Sequence, residues 1–362
     1  MRKAVLCVVI LAAQFVVLEA GIRLHGGSEV APEFRRLFMP DPRVGHRLRP
    51  DARAHFTTVE FSTDLAINAQ GVRDDEPIGP KAPNERRVVV LGDSLVLSVQ
   101  VPFAQTFCER LEVRLNAADP AHRWRVINAG VQGYGPVHEW LFFDAIAAAF
   151  EPDIVLIGAF AGNDAVEAYD TEAWLEAGRS TTEGTEAAIS QLRRVVRSSV
   201  VLQLVRVRWD QLRSRFSSAA PERPMATYLA DPPPEVQRGL EVSQRAFGRI
   251  ANRASAIGAA TGLVLFPARF QTDDADYIRW KEIVHSSGGE LVRNSGTARF
   301  REALAPLRLP TLDLLPVLEA QPNRVTLFYQ RTIHLTPHGH EVVAGALFEF
   351  LKTSGLMQAA MR

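Results

Sequence analysis

Residues 86–95 read Arg-Arg-Val-Val-Val-Leu-Gly-Asp-Ser-Leu, and this stretch decides the fold. A continuous run of β-branched and apolar residues is typical of a strand buried on both faces of a parallel sheet. The run ends at Gly-Asp-Ser, and a helical pattern follows over 104–115. Open α/β sheets bind ligands at the carboxyl ends of their strands, so Ser94 is a candidate nucleophile. The alternative is an ordinary strand-to-helix turn in which Asp93 or Ser94 caps the helix.

Strand and helix patterns alternate along the rest of the main domain. Four further strands are predicted at 124–128, 153–160, 262–266 and 308–312. Helices are predicted at 137–150, 234–260 and 339–352. Parallel strands need crossover connections, which are usually helices, so this alternation predicts an α/β fold whose parallel sheet is covered on both faces.

The N-terminus has the pattern of an export signal. Arg2 and Lys3 precede an apolar run over 4–18, which is of signal-peptide length. Cleavage after Ala20 would place the bulky Leu18 where a small residue is preferred. We therefore predict that residues 1–24 form an uncleaved inner-membrane anchor, with the rest of the chain in the periplasm or outside. The alternative is a buried N-terminal helix of a cytoplasmic protein.

The remaining chain divides into an extension and a main domain. Residues 25–85 are predicted to be a linker, rich in Pro, Arg and Gly over 26–50, followed by a β-rich extension with a hairpin over 54–67. The main domain spans 86–352 and contains an insertion at about 165–233, too long for an ordinary connection. Within it, 192–216 has a basic helical pattern, typical either of a solvated face or of a surface that contacts anionic lipid or an acidic glycan.

Composition excludes some functions of this chain of 362 residues. Lysine plus arginine and aspartate plus glutamate are equal at 41 each, so no overall charge favours nucleic acid as a partner. The two cysteines cannot build a disulfide framework. His334, His338 and His340 are close in sequence, but no metal-binding motif accompanies them. We therefore predict neither a metal nor a cofactor.

Three further polar blocks fall where ligands bind in such a sheet. A glycine-dense loop at 128–135 follows the second strand, Gly162-Asn163-Asp164 follows the third, and His334 precedes the last helix. A serine nucleophile needs a base to accept its proton, and His334 is the candidate. The oxyanion that forms needs preorganised donors, which the backbone N–H groups of Ser94 and Gly133 and the side-chain amide of Asn163 would supply.

These four blocks resemble those of the SGNH (GDSL-type) hydrolase family, which is named for Ser, Gly, Asn and His. The matching residues are Ser94, Gly133, Asn163 and His334. The resemblance implies a flavodoxin-like three-layer α/β/α fold and ester hydrolysis or acyl transfer without a metal. The layout of the N-terminal region is similar to that of membrane-tethered bacterial members. This implies that the substrates are O-acyl esters, such as O-acetyl esters, of a cell-envelope or extracellular glycan.

One part of the family pattern is missing. The family usually has an aspartate two or three residues before the histidine, where Thr332 and Arg331 stand here. An arginine at this place disfavours the imidazolium that forms during attack. Three alternatives follow: a Ser94–His334 dyad assisted by a backbone carbonyl, a carboxylate from elsewhere such as Asp313, or a non-catalytic glycan-binding or assembly protein on the same scaffold.

Overall fold

The computed structural model describes residues 36–176 and 223–361, together with Gln14. The chain forms two compact units, the first comprising 1–32 and 176–220 and the second 33–175 and 221–362. Of the first unit only Gln14, in a helical conformation, and Glu176 are described. The predicted anchor, apart from Gln14, and the basic segment 192–216 lie outside the described residues. Among the helices that are described, none is both long and apolar enough to cross a membrane.

The second unit contains two small hairpins and one large sheet. Its strands are β1 (Phe38–Asp41), β2 (Gly45–Leu48), β3 (Arg53–Thr57), β4 (Ser62–Ala66), β5 (Glu85–Gly92), β6 (Arg123–Gly130), β7 (Ile154–Phe160), β8 (Ala260–Phe266) and β9 (Thr311–Asp313). Its helices are α1 (Ser94–Leu97), α2 (Phe107–Ala118), α3 (Pro136–Ala145), α4 (Asp164–Glu176), α5 (Pro234–Ala256), α6 (Arg269–Thr272), α7 (Asp274–Ser286), α8 (Ser295–Leu304), α9 (Leu314–Glu319), α10 (Pro337–Thr353) and α11 (Leu356–Ala360).

The large sheet is parallel throughout, with strand order β6-β5-β7-β8-β9. Counted along the chain within this sheet, the order is 2-1-3-4-5, which is the flavodoxin-like order. All of β7 and nearly all of β5 are buried, so the sheet is covered on both faces. Helix α2 packs against α10, and α5 packs against both α3 and α8. The predicted three-layer α/β/α fold is therefore confirmed.

Several boundaries differ from the sequence-based expectation. The fifth strand is shorter and shifted, and the helix expected over 137–150 ends at Ala145 and continues as a 3-10 turn at Ala147–Phe150. Helices α7 and α8 were not predicted. Helix α7 buries only Asp276 and Val284, so it lacks the wide apolar stripe by which a surface helix is recognised.

The N-terminal extension contains one expected and one unexpected hairpin. Strands β3 and β4 form the hairpin predicted over 54–67. Strands β1 and β2 pair antiparallel within 26–50, where a linker or an extended surface segment was predicted. Asp41 accepts hydrogen bonds from Arg43 and Arg47, which compensates part of the arginine charge of this stretch.

Candidate active site

The nucleophile candidate Ser94 is the first residue of α1, directly after β5. The carboxylate of Asp93 accepts a hydrogen bond from the N–H of Leu95 at 2.8 Å, so Asp93 supplies the cap of this short helix. The Ser94 hydroxyl makes no hydrogen bond with the described residues and is therefore available to react as a nucleophile. Gly92 is required by close approach, because a Cβ there would lie 2.3 Å from Cγ2 of Val96.

The Gly133 loop leaves β6 beside the end of β5. The N–H of Val131 donates to the carbonyl of Gly92 at 3.0 Å, which joins the loop to the nucleophile turn. Gly133 has a φ of +74°, in the left-handed region that favours glycine. The loop is held from outside by β2, since Tyr134 Oη donates to the carbonyl of His46 at 2.5 Å. The β1–β2 hairpin thus supports one of the predicted oxyanion-hole elements.

Asn163 lies against the nucleophile turn. Its Nδ2 donates to Oδ2 of Asp93 at 3.4 Å, while its Oδ1 is buried and has no partner among the described residues. The Gly133 loop and the Asn163 segment are therefore both hydrogen-bonded to the nucleophile turn, the first at Gly92 and the second at Asp93. This is the carboxyl edge of β5, β6 and β7, as the sequence predicted.

His334 is carried by a loop that connects to the chain after α1. Tyr329 Oη donates to the carbonyl of Gln100 at 3.3 Å, and the Tyr329 N–H donates to the carbonyl of His334 at 3.0 Å. Neither ring nitrogen of His334 has a hydrogen-bond partner among the described residues, so Ser94 and His334 are not hydrogen-bonded here. Burial lowers the pKa of His334 to about 4. The imidazole is therefore neutral at pH 7 and able to accept a proton.

None of the residues considered for the missing acid is hydrogen-bonded to the His334 ring. The Thr332 hydroxyl accepts from the backbone N–H of His334 at 3.2 Å. Arg331 is exposed. Asp313 caps α9 by accepting from the N–H of Leu315 at 3.0 Å and pairs with Arg301. The imidazole thus has no carboxylate partner among the residues that the structure describes.

The other two histidines of this region have separate partners. Nδ1 of His338 lies 2.7 Å from the hydroxyl of Thr326. His340 is buried, and its Nδ1 accepts from the N–H of Phe107 at 3.1 Å. Within 36–176 and 223–361, no group of three or more His, Cys, Asp or Glu residues has a geometry that could hold a metal ion.

A set of buried carboxyl groups, which sequence reasoning missed, surrounds Asp93. Glu139 is 1% exposed, and both its carboxyl oxygens lack a partner among the described residues. Burial raises the pKa of Glu139, and the charge of Asp93 raises it further. The same two causes bring the pKa of Glu167 to about 8. The pKa of Asp164 is raised by burial and by the charge of Glu139, and burial brings the pKa of Asp93 to about 6. A glutamate inside an apolar helical pattern, as at Glu139, was the available signal.

Comparison with known proteins finds similarity to solved structures alone. No family model and no curated protein matches the chain. Similar solved structures include a lipase/acylhydrolase from Enterococcus faecalis (13% identity, 74% of this chain and 95% of that chain, TM-score 0.41). A putative lipolytic protein of the G-D-S-L family from Desulfitobacterium hafniense (14%, 73% and 99%, 0.40) and an acetyl xylan esterase (13%, 73% and 98%, 0.40) are also similar. What is shared is the fold.

Proposed function

We propose that the chain is an SGNH-type serine esterase or O-acyltransferase with Ser94 as nucleophile and His334 as base. The observation that carries the proposal is the Gly92-Asp93-Ser94 turn at the end of β5, with the Asn163 amide hydrogen-bonded to the same Asp93. This arrangement leaves the serine hydroxyl unused as a cap, and the Asn163 amide is bound to the residue directly before the serine. Residues 86–352 form the catalytic domain in this proposal, with the insertion at about 165–233.

The reaction proceeds in two halves. Ser94 Oγ attacks the acyl carbonyl carbon while a His334 ring nitrogen takes the hydroxyl proton. The N–H groups of Ser94 and Gly133 and the Asn163 amide stabilise the oxyanion. Collapse breaks the ester bond, and the leaving oxygen takes the proton from His334. Water or a sugar hydroxyl then attacks the acyl-serine, with His334 again accepting and returning the proton.

Among the described residues no carboxylate is hydrogen-bonded to the His334 ring, so we infer that the reaction is slow. A triad acid holds the histidine in the correct tautomer and stabilises the imidazolium, and replacing it lowers kcat by about 10⁴ in a serine protease. Here the buried imidazole is neutral at pH 7, so it accepts a proton without an acid partner but forms a poorly stabilised cation. We therefore place the activity below that of an enzyme with a complete triad.

The substrate class rests on the sequence layout. In this proposal the export pattern of the N-terminus directs the domain across the inner membrane, with residues 1–24 as its anchor. Esters available there include O-acyl groups, such as O-acetyl groups, of cell-envelope and extracellular glycans. Transfer instead of hydrolysis occurs if a sugar hydroxyl excludes water from the acyl-serine.

The test is covalent labelling of the full-length chain with a fluorophosphonate, followed by intact-mass analysis. We expect a single adduct on the wild type and none on Ser94→Ala. Ser62→Ala is the matched control, because Ser62 is a serine outside the site whose Oγ lies 3.2 Å from a ring nitrogen of His55 on the exposed hairpin. An adduct that survives in Ser94→Ala, or no adduct on folded wild type, contradicts the proposal.

A second candidate function is non-catalytic glycan binding on the same scaffold. The observation that favours it is the His334 ring, which no described carboxylate contacts. Isothermal titration of the full-length chain with an acetylated xylo-oligosaccharide, followed by chromatography of the sugar, separates the two. Binding with the acetyl groups left intact favours the binding protein, whereas release of acetate or its appearance on an unacetylated acceptor favours the enzyme.

A further inference from the structure

The loop that carries His334 is hydrogen-bonded to the tip of the β3–β4 hairpin, some 270 residues earlier in the chain. Oε1 of Glu60 accepts from the N–H of Gln330 at 2.8 Å, and its Oε2 accepts from the N–H of Arg331 at 3.0 Å. One carboxylate thus receives two successive backbone N–H groups. Hydrogen bonds to an ionised acceptor are about twice as strong as those between neutral groups.

The hairpin tip is itself organised to present this carboxylate. The Thr58 hydroxyl accepts from the N–H of Glu60 at 3.1 Å and from that of Phe61 at 3.2 Å. The ring of Phe61 packs against that of Tyr329, with the centroids 5.4 Å apart. The contact therefore joins an ordered turn to the loop through both a polar and an aromatic pair.

The opposite side of the same loop is held by Arg269. Its guanidinium donates to the carbonyl of Tyr329 at 2.8 Å and also to that of Gln330. Its Nε donates to Asp276 at 2.9 Å, so the guanidinium is fixed in turn. The backbone over 329–331 is thus bound through its N–H groups by an anion and through its carbonyls by a cation.

We propose that Glu60 is a positioning residue that sets the place of His334 for the reaction. The inference rests on the proposed function. A triad acid orients the imidazole through its ring, but here no described carboxylate reaches the ring. Glu60 acts instead on the main chain four and three residues before His334, at Gln330 and Arg331. In this proposal the N-terminal extension contributes to the active site through Glu60.

The experiment compares Glu60→Ala and Glu60→Gln with wild type in the full-length chain. Glutamine keeps the volume of the side chain but replaces one of the two acceptor oxygens by an N–H donor. Val59→Ala is the control, because Val59 is the adjacent tip residue and is 73% exposed. Three quantities are measured: hydrogen exchange of the peptide covering 328–335, the rate of fluorophosphonate labelling of Ser94, and kcat and KM for p-nitrophenyl acetate.

We expect faster exchange over 328–335 in both Glu60 variants and a fall in labelling rate and kcat of about 10- to 100-fold, since displacements near 1 Å have effects of this size. KM should stay close to the value of Val59→Ala. Unchanged hydrogen exchange would show that Glu60 does not hold the loop. Faster exchange with unchanged labelling rate and kcat would show that Glu60 does not position His334. No labelling of the wild type refutes the proposed function itself and the catalytic part of this inference, while exchange still decides whether Glu60 holds the loop.

Discussion

Replacing Glu167 by glutamine should stabilise the protein at alkaline pH and change little at acidic pH. Glu167 lies on α4, near Asp93 and Asn163. Its Oε2 is buried and has no hydrogen-bond partner in the described part of the chain. Burial, followed by the negative charge of Asp93, raises its pKa from 4.5 to about 8. The folded protein therefore keeps a proton there that the unfolded chain releases at lower pH.

The sign and size follow from proton linkage. A group whose pKa is raised on folding contributes stability that is complete below the unfolded pKa and is lost as pH rises through the folded pKa. One pKa unit corresponds to about 1.4 kcal/mol, so a rise from 4.5 to about 8 sets an upper limit of about 5 kcal/mol on the loss. Relaxation around the ionised group reduces it, and we expect about 2 kcal/mol. Glutamine has the same shape and no proton to lose, so it avoids the loss.

The assay is urea unfolding of wild type and Glu167→Gln at pH 5, 6, 7 and 8. The variant should become progressively more stable than wild type as the pH rises. Glu319→Gln is the control, because Glu319 is exposed at the end of α9 and its replacement removes a carboxyl group that is not buried. A difference between Glu167→Gln and wild type that is equal at pH 5 and pH 8 would show that Glu167 is ionised in the folded protein.

Three further predictions follow from the site. Because burial lowers the pKa of His334 to about 4, kcat/KM for p-nitrophenyl acetate should rise through about pH 4 and then stay level up to pH 7; an inflection near 6.5 would contradict this. Asn163→Ala should lower kcat about 10²- to 10³-fold in steady-state assays, and a fall of less than threefold would remove Asn163 from the oxyanion hole. Arg73→Met should lower the free energy of unfolding in urea by about 3 kcal/mol or more, because the buried Arg73 guanidinium donates to the carbonyls of Leu97, Ser98 and Val101; a loss below 1 kcal/mol would count against these bonds.

The sequence by itself determined the α/β architecture and which segments of the chain meet at the candidate site. A strand buried on both faces has a composition that can be recognised locally, as at β5 and β7. Because parallel strands end at one edge, the sequence alone places the residues that follow each strand together. Ser94, Gly133 and Asn163 follow from this rule, and the structure links their three segments at the ends of β5, β6 and β7.

Only the tertiary structure decided what surrounds His334 and Asn163. Nothing local to Asp313 shows that it pairs with Arg301, and nothing local to Glu60 shows that it binds the N–H groups of Gln330 and Arg331. The raised pKa of Glu167 likewise depends on burial and on a charge contributed by another element. Periodicity and motifs record the environment of neighbours along the chain, whereas these hydrogen bonds and charges join residues that only folding brings together.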